Sequence, residues 1–399
     1  MPIPCEENAG RPGSKPATAP RIAIRDGQFI STDTGNSFFP RGFNYTRMES
    51  PGIRHNVFNT GSYDADRASG MFLDVAGQGF NMVRVFMPEW AVDDPASHDH
   101  ISDEVFDNLL DFLEKARAHG VRVILSMLHC PASMVKEPFS GMDDPDFVFN
   151  ESRLQAKALY HRNVIRRIRS RDPGLLSTVF SHEHGNELCF YADRHPFAMN
   201  EGMLNFAGRS YNMESAEEIQ RLTDDGTLRY ARILNDAVKE EDPDALFSIN
   251  IFTFSAVGRT GPGRLHLDKT QDRRFPARAL VLASSDIDYL DIHLYSEDLR
   301  GSQRDLESIE WGATRELLVK NGKPAIIGEI GIYRDRFTDP ESAAGHVRMI
   351  LPVMLKSGMQ GFLYWTYDSD EQYEQLWHAR DRSNPAILTA LKGIHPDLC

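Results

Sequence analysis

The sequence has few cysteines, and their spacing does not suggest a metal centre. Its 399 residues include only four, namely Cys5, Cys130, Cys189 and Cys399, and these stand far apart. None of them forms the CxxC pair that is typical of structural zinc sites, and four scattered cysteines do not indicate a disulfide framework. We therefore expect free thiols, as is usual for proteins of a reducing compartment.

An excess of positive charge and long apolar runs are also lacking. Lys and Arg number 44 against 58 Asp and Glu, so the formal net charge is −14. This balance argues against nucleic acid or an anionic membrane as the main partner, because both attract clustered basic residues. No apolar run approaches the roughly 18 residues of a membrane span. Hydrophobic residues still make up 41% of the chain, which is enough for a large core.

The N-terminal segment lacks the features of a signal peptide. Residues 1–20 contain no apolar stretch behind a basic start and are rich in Pro, Gly, Ala and Ser. They predict a flexible tail over residues 1–20, followed by one domain over residues 21–399. The absence of a signal favours a cytoplasmic location, unless a signal was removed beforehand.

What the sequence does contain is a series of short apolar segments separated by helical patterns. A hairpin signal at Asp26-Gly27 comes first. Most of the later segments are continuously apolar, as in parallel strands buried on both faces. The eight predicted strands are 41–45, 81–87, 121–128, 177–187, 246–252, 289–295, 325–331 and 361–368. Helical patterns include 102–119, 227–241, 302–320 and 340–355.

Eight such units predict a (β/α)8 barrel, an α/β fold, preceded by an N-terminal β-hairpin. An open doubly wound sheet is disfavoured because no glycine-rich phosphate-binding loop follows the first strand. Three connections after strands are long, at 46–64, 188–226 and 253–288. Long connections are usually functional, and all three would lie on the C-terminal face, where barrels place their active sites.

Polar residues stand at the strand ends that would form this face. A carboxylate at a buried strand end needs a hydrogen-bonding or charged partner, or else it has a functional role. Two glutamates, on strands four and seven, would face each other across the barrel mouth, as retaining glycoside hydrolysis requires. The candidates, in chain order, are Arg84, His129, Asn186, Glu187, His293, Tyr295, Glu329 and Trp365.

Taken in strand order, these segments resemble the cellulase-like (β/α)8 glycoside hydrolases, especially glycoside hydrolase family 5. The resemblance covers roughly residues 21–392 and rests on RGFNY, NMVRVFM, VILSMLH, GNE, DIHLY, IIGEIG and GFLYWTY. It implies that Glu187 is the acid/base, that Glu329 is the nucleophile and that no cofactor is required. Asn186 would bind the substrate 2-hydroxyl.

The resemblance also implies roles for the other candidates. Arg84 and Tyr295 would position the nucleophile and support its charge. His129 and His293 would surround the sugar, and Trp365 would form an aromatic platform beneath it. Each of these residues also has a structural alternative, as an anchor or as core packing.

Three features depart from the family or leave its assignment open. Leu188-Cys189 follows Glu187 where many members have proline. The segment His182-Glu183-His184 resembles a metal-ligand pair, but further His and Asp ligands at other strand ends are lacking, so we expect no metal. The basic segment 257–278 could bind an acidic sugar, but salt bridges to acidic neighbours are the preferred interpretation.

The sequence therefore predicts a retaining glycoside hydrolase that acts on a β-linked glycoside, oligosaccharide or polysaccharide, with no nucleic acid or membrane partner. A transglycosylase with the same site and a catalytically silent carbohydrate-binding barrel are the alternatives. The long loops favour a pocket and action at chain ends. Aromatic residues of these loops could line its walls or pack in the core, namely Tyr63, Phe190, Tyr191 and Tyr211. The sugar, the linkage and the oligomeric state stay open.

Overall fold

The computed structural model describes residues 19–48, 56–88, 92–136, 148–199, 201–264, 270–381 and 384–396. Most of the predicted tail, together with Cys5 and Cys399, lies outside these residues. The predicted hairpin is present, with antiparallel strands Ile22–Arg25 and Gln28–Ser31. Asp26 and Gly27 turn the chain between them with φ values of 51° and 74°, in the left-handed region that tight hairpins need.

Eight parallel strand positions form one closed sheet. They are β1 (Arg41–Asn44), β2 (Met82–Met87), β3 (Arg122–Met127), β4 (Val179–His184), β5 (Leu246–Ser248 and Asn250–Phe252), β6 (Leu290–His293), β7 (Ala325–Ile330) and β8 (Phe362–Tyr364). The strand β5 is interrupted at Ile249. Its first part pairs with β4 and its second part with β6, which closes the ring. The predicted (β/α)8 barrel is thus confirmed.

Helices pack around the outside of this sheet. They are α1 (Ala65–Gly77), α2 (Asp103–Ala118), α3 (Glu151–Arg171), α4 (Ala216–Glu241), α5 (Ala279–Ser284), α6 (Leu299–Ser308), α7 (Trp311–Asn321), α8 (Pro340–Lys356) and α9 (Ala386–Lys392). Side-chain caps fix several starts: Ser102 accepts from the Val105 N–H, and Asp339 accepts from the Ser342 N–H. The structure describes no helix long and apolar enough to cross a membrane.

Several element boundaries predicted from the sequence were wrong, including the end of the eighth strand, which lies at Tyr364 rather than at residue 368. The helix expected from Thr227 begins at Ala216, where Ser215 caps it. The helix expected over 302–320 is two helices, because Glu310 has a positive φ of 57° between them. The fourth strand ends at His184 rather than at residue 187. The three residues that follow it form a turn that carries Asn186 and Glu187.

The loop expected over 188–226 also contains regular structure. A short strand, Cys189–Tyr191, pairs antiparallel with Arg274–Pro276 from the connection after β5. A hairpin of Met203–Phe206 and Arg209–Asn212 follows, and then the first turns of α4. The connections after β4 and β5 are therefore joined directly beside the end of β4.

The barrel interior is arranged in layers. At its N-terminal end an apolar layer contains Met82, Ile124 and Ile326, and Phe29 of the hairpin covers it by packing on Phe180 and Tyr289. Above this layer the inward side chains are polar. They include Asn44, Arg84, Ser126, Glu183, Asn250 and Asp291, all buried. This polar layer underlies the mouth.

Candidate active site

A cavity of about 1290 Å³ opens at the C-terminal ends of the strands, the face where barrels of this type place their active sites. Seven of the eight predicted site residues line it, namely His129, Asn186, Glu187, His293, Tyr295, Glu329 and Trp365. The eighth, Arg84, lies completely buried beneath them. The structure thus brings together all eight candidates.

Glu329 is held by two hydrogen bonds from opposite sides. Nη1 of Arg84 donates to Oε1 at 2.7 Å, and the hydroxyl of Tyr295 donates to Oε2 at 2.7 Å. Both donors favour the ionised carboxylate. A bulge in β7 leads to this position: Ile292 pairs with Ile327, and His293 then pairs with Glu329, so Gly328 is the extra residue. Such a bulge re-aims the side chain that follows it.

Arg84 also connects the mouth to the polar layer below. Its Nε donates to Oε2 of Glu183 at 2.7 Å, and Nη2 donates to Oδ1 of Asn186 at 2.9 Å. Oδ1 of Asn44 accepts from Nη1 at 3.0 Å. The guanidinium of Arg84 therefore orients three side chains, those of Asn186, Glu183 and Glu329.

Glu187 lies on the turn after β4, in a left-handed conformation with φ of 61°. Its backbone N–H donates to Oδ1 of Asn250 at 2.5 Å, which ties the turn to β5. Its carboxylate Oε1 lies 3.1 Å from Nδ1 of His293. The side chain is 23% exposed, whereas that of Glu329 is 5% exposed. Glu187 therefore faces the open side of the mouth.

The two glutamates approach each other across the mouth. One carboxylate oxygen of each, together with a ring nitrogen of His293, form a group in which all atoms lie within 4.8 Å of one another. The carboxyl groups of retaining glycosidases are about 5–5.5 Å apart, and those of inverting enzymes about 6.5–9.5 Å apart. The two carboxylate oxygens of this group therefore lie no more than 4.8 Å apart.

The pKa values of the two carboxyls shift in opposite directions. Burial raises the pKa of Glu329, and the neighbouring charge of Glu187 adds to the rise against His293, Arg84 and Tyr295. Burial would also raise the pKa of Glu187, but the hydrogen bond and charge of His293, with Arg274 and Arg84, lower it overall. Because two carboxylates this close repel, ionisation of one raises the pKa of the other.

Trp365 and His129 lie on the wall of the cavity. The indole Nε1 of Trp365 donates to Oε1 of Gln372 at 2.8 Å, and its ring packs against Phe86 with centroids 6.0 Å apart. This fixes the ring plane at the cavity, where an aromatic face can receive a sugar. His129 is exposed just beyond β3.

The His182-Glu183-His184 segment divides between the two faces of β4. Glu183 points inward to Arg84, whereas His184 points outward and its Nδ1 lies 2.9 Å from Nε2 of His161 on α3. Alternation along the strand separates the histidines from Glu183. Among the described residues the one group with metal-ligand spacing is Glu187, His293 and Glu329, and Arg84 already donates to its Glu329 oxygen.

The basic segment 257–278 is largely paired with acidic residues. Arg278 bridges Asp224 and Glu310 at 2.7 and 2.9 Å, and Arg274 pairs with Asp272 at 2.8 Å. Arg273 pairs with Asp193. The preferred interpretation of the sequence is thus confirmed for these residues, while residues 265–269 lie outside the described ranges. Arg274 also lines the active-site cavity.

Only one of the four loop aromatics lines the catalytic cavity. Tyr191 is part of its wall. Phe190 and Tyr211 are buried in the core, and the hydroxyl of Tyr63 donates to Asp111 in a separate cleft. For these three residues the packing alternative is the correct one. Cys130 and Cys189 are not joined in a disulfide, as expected, and Cys189 also borders the cavity.

Several residues of the site were not singled out by sequence reasoning. Asn44, Asn250 and Asp291 lie in the polar layer beneath the mouth. Glu183, which the sequence analysis considered only as part of a metal-ligand segment, completes the surroundings of Arg84. All four occupy inward positions of the barrel strands, with Asn44 at the end of β1 and Asn250 at the start of the second part of β5. The signal that could have identified them is a polar residue on the inward side of an otherwise apolar strand.

The similarity of this chain to known proteins is found in its structure rather than in its sequence. No family model matches the chain, and no curated protein matches it. Among solved structures, the exo-β-1,4-mannosidase of the Opitutaceae bacterium strain TAV5 superposes with a TM-score of 0.57 at 18% identity, over 93% of this chain and 57% of the mannosidase. This chain therefore spans little more than half of that protein's length.

Two further structures match over more of their own length. The β-1,4-D-mannanase of Cryptopygus antarcticus has a TM-score of 0.52 at 15% identity, with 94% of each chain covered. This chain therefore shares the (β/α)8 barrel fold of these proteins. A GH5_18 protein of Streptomyces cattleya, solved with GlcNAc, has a TM-score of 0.53 at 16% identity over 88% of this chain and 79% of its own. The resemblance seen in the sequence is thus confirmed for the fold.

Proposed function

We propose that this protein is a retaining glycoside hydrolase that cleaves β-linked glycosides or oligosaccharides. The observation that carries the proposal is the pair of glutamates at the mouth. Glu187 and Glu329 approach within 4.8 Å, and Glu329 alone accepts hydrogen bonds from Arg84 and Tyr295. This asymmetry supports Glu329 as the nucleophile and Glu187 as the acid/base.

The reaction proceeds in two displacements. Glu329 attacks the anomeric carbon while Glu187 donates its proton to the glycosidic oxygen, so the carbon–oxygen bond breaks and a glycosyl ester forms. Glu187 then accepts a proton from water, which attacks the same carbon and releases Glu329. The sugar leaves with its original anomeric configuration.

This chemistry needs a proton on Glu187 and a negative charge on Glu329, whereas the surrounding protein groups alone lower the pKa of Glu187 and raise that of Glu329. A bound sugar would act in the opposite direction. Glu187 is the more exposed carboxyl, so a ligand that displaces water from the mouth raises its pKa most. Glu329 keeps the two donors that stabilise its charge.

For the substrate we propose a β-linked sugar released from chain ends. The connections after β4 and β5 pair as two antiparallel strands beside Glu187 and form one wall of the cavity. Such walls favour a pocket over an open groove. The solved structures with a similar fold include a mannosidase and mannanases, which makes β-mannosides the first probe.

The test is hydrolysis of a panel of 4-nitrophenyl β-glycosides, starting with the β-mannoside, with the first-formed anomer identified by NMR. We expect turnover of at least one member and initial release of the β-anomer. Initial release of the α-anomer would reject the retaining mechanism. Binding of sugars without any turnover across the panel would instead indicate a carbohydrate-binding barrel.

A further inference from the structure

Asp291 is a buried carboxyl directly beneath the proposed active site. It is the second residue of β6, its side chain points into the polar layer, and its exposure is 0%. Neither of its oxygens has a hydrogen-bond partner among the groups the structure describes. It occupies the space left by Gly328, where a Cβ would lie 2.0 Å from Oδ1. The bulge of β7 therefore accommodates this carboxyl.

His293 lies above Asp291 on the same face of β6. Its Nε2 is 3.9 Å from Oδ1 of Asp291 and has no other described partner, while its Nδ1 is 3.1 Å from Oε1 of Glu187. Buried polar atoms without partners cost free energy. Two of the three unpartnered atoms, Oδ1 of Asp291 and Nε2 of His293, are satisfied together if their contact shortens by about 1 Å to hydrogen-bond length.

The surroundings of Asp291 favour its protonated form. Burial, followed by the nearby charge of Glu183, raises the pKa of Asp291 well above its ordinary value, and Arg84 opposes the rise only in part. A protonated carboxyl has one hydroxyl donor and one carbonyl acceptor. The hydroxyl can donate to Glu183, which leaves the carbonyl oxygen for His293.

We propose that Asp291 is a positioning residue that accepts a hydrogen bond from Nε2–H of His293 and thereby presents an unprotonated Nδ1 to Glu187. This inference rests on the proposed function of Glu187 as the acid. An Nδ1 without a proton can only accept a hydrogen bond, so the contact at 3.1 Å requires Glu187 to donate. The hydrogen-bonded series Asp291–His293–Glu187 then keeps the catalytic proton on Glu187 and fixes its direction.

The alternative tautomer would have the opposite effect. With a proton on Nδ1, His293 would donate to Glu187, stabilise its carboxylate and lower its pKa. The tautomer of His293 therefore decides whether Glu187 is ready to act as an acid. Asp291 is the described side chain that faces Nε2 and can fix this choice.

Other ionisable groups surround the series Asp291–His293–Glu187, and their titration also contributes to the dependence of activity on pH. Around Asp291 they are Glu183 on β4, Arg84 on β2, Glu329 on β7 and Tyr289 before β6. Around Glu187 they are Arg274, Arg84, Glu329, Tyr295 and Tyr333. None of these groups faces Nε2 of His293 within ion-pair distance.

The direct test is the tautomer of His293 in the wild-type protein. Nitrogen-15 NMR of histidine-labelled protein, assigned with a His293→Gln variant, distinguishes a protonated Nε2 from a protonated Nδ1. We expect the Nε2–H tautomer at neutral pH. A neutral ring with its proton on Nδ1, or a doubly protonated ring, would overturn the proposal whether or not a substrate has been found.

Substitutions at Asp291 provide the second test. Asp291→Asn keeps a donor for Glu183 and a carbonyl acceptor for Nε2, so it should preserve the tautomer and the activity. Asp291→Ala removes the acceptor. It should lower kcat/KM about tenfold or more for glycosides with poor leaving groups, leave activated aryl glycosides within about threefold, and move the basic limb of the pH profile to lower pH.

A matched control separates this effect from general damage to the barrel interior. Ser248→Ala removes a buried hydroxyl that donates to the Tyr289 carbonyl at 2.8 Å, away from His293. It should leave both the leaving-group dependence and the pH profile unchanged. Equal losses for all substrates in Asp291→Ala, or loss of activity in Asp291→Asn, would overturn the proposal. Absence of wild-type turnover would instead count against the proposed function.

Discussion

Arg84 and Glu183 form an ion pair that is completely enclosed in the barrel. Nε of Arg84 lies 2.7 Å from Oε2 of Glu183, and both side chains have an exposure of 0%. The same guanidinium donates at 2.7 Å to Glu329. One buried cation therefore compensates two carboxylates, one of which belongs to the proposed active site. Fold stability and the charge of the nucleophile depend on the same side chain.

Replacing Arg84 by Met should strongly destabilise the protein. The substitution leaves Glu183 and Glu329 without their shared cation, and breaking a buried ion pair in this way costs about 3–5 kcal/mol. Urea unfolding followed by circular dichroism gives the free energy of unfolding. The control is Arg273→Met, whose exposed pair with Asp193 should contribute at most about 1 kcal/mol. Similar losses in the two variants would contradict this account of Arg84.

Replacing Glu329 by Gln should abolish turnover without unfolding the protein. The amide keeps the size of the side chain but removes the charge that attacks the anomeric carbon. We expect kcat to fall by about a thousandfold or more, with circular dichroism unchanged. The exposed Glu374 provides a control, since Glu374→Gln should retain full activity. Substantial turnover by Glu329→Gln would exclude this residue as the nucleophile.

Replacing Glu187 by Ala should affect substrates according to their leaving groups. Glycosides with poor leaving groups need a proton from the acid and should slow by about 10²–10⁴-fold, whereas activated aryl glycosides need little protonation. Added azide should restore turnover of the glycosyl ester and give a β-glycosyl azide, which mass spectrometry and NMR identify. A loss that is the same for every leaving group would show that Glu187 is not the acid.

The strand-end residues could be predicted because the barrel constrains where they lie. Polar residues that follow continuously apolar strands must point toward the C-terminal mouth, so Glu187 and Glu329 were expected to meet there, and they do. Arg84 lies in the middle of its strand. It was identified through the resemblance of the segment NMVRVFM to the glycoside hydrolase family rather than through its position at a strand end. The local hydrophobic pattern therefore predicted most of the fold, and the strand-end positions predicted the residues that line the cavity.

The polar layer beneath the mouth could not be predicted in this way. Glu183 and Asp291 are surrounded by residues from several strands that are distant in sequence, so no local pattern shows that they are buried together. The bulge at Gly328 is equally hidden, because it depends on the volume of Asp291 across the sheet. The early start of α4 at Ala216 was missed because its first turns are mostly polar.

Replacing Gly328 by Ala should destabilise the protein through a clash with Asp291. A Cβ at this position would lie 2.0 Å from Oδ1 and 2.5 Å from Cγ of Asp291, far closer than any van der Waals contact. Overpacking of this kind costs about 1–3 kcal/mol. Urea unfolding should show that the double variant Gly328→Ala with Asp291→Ala is less destabilised than the two single losses added together.

A second glycine provides the reference for this measurement. Gly312 lies in α7 with no atom within 4 Å of its Cβ position, so Gly312→Ala should be neutral or stabilising by up to about 1 kcal/mol. If Gly328→Ala behaved like Gly312→Ala, the close packing of Asp291 on β7 would be wrong. If the double variant were simply additive, the clash would involve another group.

Three buried histidines between β4 and α3 should make stability depend on pH. His161, His182 and His184 are buried, and burial lowers the pKa of all three, that of His182 to about 4. Between pH 6.5 and these lowered values the unfolded chain binds protons that the folded protein does not. The free energy of unfolding therefore falls as the pH decreases through this window. For His182 alone the loss approaches about 3 kcal/mol.

The contribution of the histidines can be isolated by comparing variants. Asp291 acts in the opposite direction, since its raised pKa keeps a proton in the folded state, so the wild-type curve alone is a sum of both effects. His182→Gln should flatten the decrease in the free energy of unfolding between pH 6.5 and 4.5, measured by urea unfolding. The exposed His98 supplies the control, because His98→Gln should leave the slope unchanged. The same slope in wild type and His182→Gln would mean that His182 can take up a proton without unfolding the barrel.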